Sequence, residues 1–127
     1  MTSFSGGSCA DVEYDPALVP QDEWLITPAM DFTGATADLK VEFYWMMSYY
    51  WGVSPFDNYD LGLYISTDGG ATFPTLLWDE SGEGVFTNFT WTKKTIDLSG
   101  YAGQTSVVLA WRYTGVDGAQ GGVDLVS

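Results

Sequence analysis

The sequence has no histidine, one cysteine and four basic residues, Lys40, Lys93, Lys94 and Arg112, in 127 positions. Without histidine there is no imidazole base, no Ser-His-Asp triad and no His/Cys zinc cluster. Cys9 can form no internal disulfide and has no histidine to activate it as a nucleophile. Beside Ala10, in a segment of alternating apolar residues, it reads as small buried filler. Four cations against 17 acids leave a formal net charge of −13. That charge repels phosphate backbones and anionic lipid, so nucleic acid is not an expected partner. No apolar run approaches the roughly 20 residues that span a bilayer, so membrane insertion is not expected. Residues 2–8 are polar and glycine-rich, unlike a secretory signal. No Walker-type loop is present. A pair of carboxylates could still hydrolyse a glycoside, since acids are plentiful. A chain this short with no recognisable motif argues against it, and a non-enzyme is expected. The acidity has three readings: bound divalent cations, a salty environment, or solubility. A cation would claim only a few of the carboxylates.

Hydrophobic residues make up 46% of the chain and aromatics 17%, enough apolar matter for one folded domain over residues 1–127. Strand signals recur at short spacing between turn residues, and almost nothing carries a helical period. Strands are expected at Ser8–Tyr14, Trp24–Thr27, Leu39–Met47, Tyr59–Thr67, Thr75–Asp79, Thr90–Leu98, Val107–Tyr113 and Val123–Ser127. The clearest is Leu39–Met47. Leu39, Val41, Phe43, Trp45 and Met47 fall on one face, and Lys40, Glu42, Tyr44 and Met46 on the other. Loops are expected at Pro16–Glu23, Tyr49–Asn58 and Gly115–Gly122. The pattern is that of an all-β antiparallel sandwich.

Two local motifs stand out. Ser66, Asp68, Gly70 and Phe73 form an Asp-box pattern. Its serine and aspartate can bond turn backbone, and its aromatic can close a hairpin. The expected role is structural, because a sialidase would need an arginine cluster and Arg112 stands alone. The second motif is aromatic. Tyr49, Tyr50, Trp51, Phe56 and Tyr59, with Asp57 and Asn58, gather in and beside one loop. Exposed rings could carry a glycan, with the carboxylate and amide taking hydroxyls, or anchor a protein partner. The same rings could instead fold back and cap the core. Asn88-Phe89-Thr90 matches a glycosylation sequon.

Five stretches in order carry a resemblance: Asp22–Pro28 (DEWLITP), Ile65–Phe73 (ISTDGGATF), Asp97–Gln104 (DLSGYAGQ), Trp111–Gly115 (WRYTG) and Val123–Ser127 (VDLVS). The chain resembles the choice-of-anchor and cleaved-adhesin jelly-roll domains, MAM-like modules of secreted bacterial surface proteins. The resemblance implies a jelly-roll sandwich, an extracellular or cell-surface location, and adhesion to a protein or glycan ligand. A carbohydrate-binding module of a secreted enzyme, or a self-assembling structural subunit completed by strand exchange, is the alternative. It also implies a structural calcium, with Asp124 the first candidate ligand, Asp117 weaker, and Asp22 and Glu23 approaching from the loop before Trp24. The family's first strand and the second acid of its last strand have no counterpart. The expectation is therefore a chain truncated at both ends, or one completed by a neighbouring copy, forming a homopolymer through its edge strands.

Overall fold

The computed structural model describes residues 10–12, 20–34, 39–116, 118–119 and 121–126. They form eight strands: β1 (Ala10–Val12), β2 (Gln21–Ile26), β3 (Lys40–Met46), β4 (Tyr59–Ser66), β5 (Thr75–Asp79), β6 (Thr92–Asp97), β7 (Val108–Gly115) and β8 (Gly121–Val126). A single helical turn, α1, spans Tyr49–Gly52, and tighter 3-10 turns lie at Glu80–Glu83 and Ser99–Tyr101. One sheet has the order β1-β8-β3-β6 and the other β2-β7-β4-β5. All pairings are antiparallel. The chain switches sheet at every connection except the β4–β5 hairpin. That is jelly-roll order, so the fold is the all-β sandwich the sequence pattern implies.

β3 shows why. Its alternation sends Phe43 and Trp45 inward, where both are buried, with Met47 following. The facing sheet answers with Leu61, Leu63 and Ile65 of β4, Trp78 of β5, and Leu109, Trp111 and Tyr113 of β7. Phe43 sits edge-on to both Trp78 and Trp111, with ring centroids 5.3 Å apart in each case. Edge-to-face pairs of this kind add about 0.5–1.5 kcal/mol beyond the area they bury. On the outer face of the same strand, Glu42 takes Lys93 at 2.6 Å and Lys40 at 3.5 Å. Met46 departs from the expected alternation. It belongs to the outward set yet is buried, opposite Gly122.

Three boundaries differ from expectation. β2 begins at Gln21, inside the expected loop. It is an edge strand paired only with β7, so it tolerates polar residues on its exposed side. β8 begins at Gly121, also inside an expected loop. The expected loop at Tyr49–Asn58 opens with α1, because Ser48 caps it by accepting a bond from the Trp51 N–H at 3.1 Å. Cys9 lies outside the described residues.

Candidate functional site

α1 and the segment after it stand at the entrance to β4. The backbone closes on itself: the N–H groups of Val53 and Ser54 donate to the Tyr49 carbonyl at 2.9 and 3.0 Å. Phe56 N–H donates to Tyr50 O at 3.2 Å, and Asn58 N–H to Trp51 O at 2.9 Å. The 80s loop anchors the other side. Asn88 Oδ1 accepts from Tyr50 N–H at 3.0 Å and from the Ser48 hydroxyl at 3.3 Å.

This framework divides the aromatics. Trp51 and Phe56 stack at 4.9 Å with planes 19° apart. Tyr50 stands edge-on to both, 5.1 Å from Trp51 and 5.3 Å from Phe56. All three remain exposed: Tyr50 46%, Trp51 37% and Phe56 40%. Asp57 beside them is also exposed. Asn58 anchors the loop, its carbonyl accepting from Val116 N–H at 2.9 Å. Tyr49 turns away and packs edge-on against Phe86. Tyr59 is no surface residue at all. It is 1% exposed, stacks obliquely on Tyr113, and its hydroxyl accepts from Ser48 N–H at 2.6 Å. Burial pushes the Tyr59 hydroxyl far above the ordinary phenol range. Of the expected ligand-binding rings, then, three form an exposed cluster and two serve packing.

The sequence reading missed Phe89. It is exposed, next to Asn88, and held at φ 51° with its N–H on Met47 O at 2.9 Å. A bulky aromatic in the left-handed region is strained by roughly 1 kcal/mol or more, and such strain gathers at functional surfaces. The only sequence signal was the sequon triplet, which says nothing about φ.

The Asp-box builds the β4–β5 connection. Ser66 Oγ donates to Asp68 Oδ1 at 2.5 Å and accepts from Gly70 N–H at 3.0 Å. Asp68 takes Thr72 through its N–H at 3.0 Å and its hydroxyl at 2.6 Å. These donors, first among them Ser66, hold the Asp68 carboxyl well below the usual range. Gly69 and Gly70 both have positive φ, which glycine adopts without strain. Phe73 packs against Trp24, 5.5 Å away, on the outer face of the second sheet.

Two of the expected calcium ligands, Asp22 and Glu23, have described side chains. Both Asp22 oxygens are taken by Arg112, at 2.7 and 2.8 Å. Arg112, first through its hydrogen bond, holds the Asp22 carboxyl below its ordinary value. Asp22 is thus the ion-pair partner of Arg112. Glu23 is exposed on β2 opposite Tyr113, and Asp124 lies on β8 opposite Tyr44. Asp117 lies outside the described residues. Among the described residues no group of three or more His, Cys, Asp or Glu is arranged to hold a metal ion. Among them, too, no helix is long and apolar enough to cross a membrane.

No family model matches the chain, and no curated protein matches it. Solved structures do. The K1 cleaved adhesin domain of Lys-gingipain from Porphyromonas gingivalis superposes with a TM-score of 0.65 at 20% identity, over 97% of this chain and 74% of that one. The K3 cleaved adhesin domain of the same protein gives a TM-score of 0.62 at 20% identity, over 98% and 76%. The chain has the cleaved-adhesin fold. At this identity the likeness speaks for architecture alone.

Proposed function

We propose that this chain is a non-catalytic adhesion module of a secreted or surface-exposed bacterial protein, of the cleaved-adhesin and choice-of-anchor kind. In this reading it grips a protein partner with the cluster of Tyr50, Trp51 and Phe56. One observation carries the proposal: three large rings stay in solvent on a loop whose backbone is hydrogen-bonded into one shape. Rigid aromatics lose little conformational freedom on binding and serve as anchors at interface centres. The ring geometry favours a protein pocket over a sugar. Trp51 and Phe56 cover one face of each other and Tyr50 closes on both edge-on. The result is an apolar knob rather than a bare flat platform. The adhesin neighbours, and the lack of histidine chemistry, support a binding role over a catalytic one.

Trp51→Ala tests the anchor. A fully buried Trp loses about 3–5 kcal/mol on truncation. A partly exposed ring in a surface cluster should lose no more than about 1–2 kcal/mol. Binding on a combined protein and glycan array should fall at least tenfold while the denaturation midpoint barely moves. A large loss of stability would make the cluster a core cap and end the proposal. Retained protein binding, or capture of glycans alone, would end it equally.

Phe89→Asn separates strain from contact. Asparagine accepts the left-handed region more readily than phenylalanine, so the variant should gain about 0.5–1 kcal/mol of stability. If Phe89 belongs to the gripping surface, binding falls at the same time. A gain in stability with unchanged binding would remove Phe89 from the site.

A further inference from the structure

The outer face of the second sheet has a depression of about 210 Å³, lined by Asp60, Gly62, Tyr64, Leu76, Asp79 and Arg112. Its floor is Gly62 on β4, a buried position over which Leu76 and the Tyr64 ring close. Gly62 pairs with Asp79 on one side and with Arg112 on the other. Asp60 and Tyr64 stand two residues to either side of it on the same face of the strand. Leu76 projects beside it, half exposed. The volume is below the roughly 300 Å³ at which ordinary small-molecule sites begin. It suits a single side chain.

The charges say which kind. Asp60 and Asp79 supply carboxylates to the wall, while Leu76 and the Tyr64 ring supply apolar surface. The chain's own cations are each already paired with a carboxylate. Lys40 and Lys93 bind Glu42, Lys94 binds Glu83, and Arg112 is held by Asp22. Arg112 also lies over the Trp24 ring, 4.7 Å from its centroid, which fixes it as part of the wall. The charge of the rim, with the Asp22–Arg112 pair neutral, is negative, in a chain of net charge −13.

We propose that this depression receives the lysine side chain of a partner protein. The methylenes lie along Leu76 and Tyr64, as long cationic side chains do on apolar surface. The ammonium donates to Asp60 and Asp79. Asp60 stands two residues beyond Asn58, where the loop of the aromatic cluster ends. The inference rests on the protein-adhesion reading for its partner, and its test is independent of the cluster.

The probe is Nα-acetyl-lysine methylamide, titrated into the protein and followed by NMR. Norleucine and Nε-acetyl-lysine analogues serve as uncharged controls. The lysine probe should shift the signals of Gly62, Tyr64 and Leu76, weakening as salt is raised. Asp79→Asn should reduce affinity at least fivefold. Gly62→Ala should do the same by pushing the end of Leu76 into the depression. Its new methyl would lie 3.2 Å from the flexible end of Leu76, so the fold should survive. Trp51→Ala should leave the lysine probe unaffected, which separates this site from the aromatic cluster. Equal binding of the uncharged analogues, shifts spread over the acidic surface, or affinity unchanged in both depression variants would each overturn the proposal. So would a response to hexoses with none to lysine.

Discussion

Glu80→Gln is expected to stabilise the protein at pH 8, on the order of 3 kcal/mol, and to flatten its stability profile between about pH 5 and 8. Glu80 opens the turn after β5 and is 2% exposed. Its Oε2 accepts the Leu61 N–H at 3.1 Å, and its carboxyl is hydrogen-bonded to Asp60. Burial first, then the neighbouring Asp60, pushes the Glu80 carboxyl from an ordinary 4.5 up to about 8. The folded protein thus keeps a proton that the unfolded chain gives up above about pH 4.5. In that window the unfolded state binds fewer protons, so stability falls as pH rises, by up to about 1.4 kcal/mol per unit. The contribution is whole below pH 4.5 and is lost by about pH 8. Carboxyls at Asp22, Asp68 and Glu83 are held below their ordinary values and act in the opposite sense. Their contribution is present above about pH 4 and is lost in acid. The wild type should therefore be most stable near pH 5. Glutamine copies the protonated acid: it accepts from Leu61, donates to Asp60 and does not titrate. Urea denaturation of both proteins from pH 4 to pH 9 measures the difference. Parallel profiles would show that Glu80 is ionised in the fold.

Gly115→Ala should be the most damaging single methyl, destabilising by about 3 kcal/mol or more. An added Cβ there would overlap the Asn58 carbonyl oxygen and the Tyr59 Cβ and Cα, mostly backbone that cannot step aside. Gly118→Ala should behave similarly, since its Cβ would come within 2.7 Å of Tyr59 Cβ and Cγ. Gly82→Ala is the control. Nothing lies within 4 Å of that position, and its effect should stay within about 0.5 kcal/mol. Thermal melts of the three variants decide the matter. A Gly115→Ala protein as stable as the control would mean that Asn58 and Tyr59 pack loosely enough to admit the methyl. The glycines between β7 and β8 thus have a packing cause. They let the chain cross directly over Tyr59, whose hydroxyl in turn holds the start of α1. The base of the aromatic cluster and the glycine-rich connection are parts of one packed unit.

The local pattern was enough to indicate the sandwich. Alternation along Lys40–Met46 and Tyr59–Ser66 names the faces of two strands, because a side-chain period of two must place every second residue in the core. The Asp-box was legible for the same reason: its bonds join residues two to four apart, and such contacts are written in sequence spacing. The missing histidine closed whole classes of catalysis without any structure. What the sequence left open depends on residues far apart. Whether an aromatic beside the loop faces water or the core was undecided until Asn88, forty positions away from Ser48, tied the loop down and Tyr113 received Tyr59. The partner of Asp22 was hidden until β2 and β7 paired and brought Arg112 across ninety positions to take both its oxygens. The depression around Gly62 exists only because β4 lies between β5 and β7, which sets Asp79 and Arg112 on either side of that glycine. Composition and periodicity determined that this chain makes a β-sandwich. Only strand order and register decided which of its rings and carboxylates meet solvent and which meet each other, because those encounters are set by pairing across the sheets and not by distance along the chain.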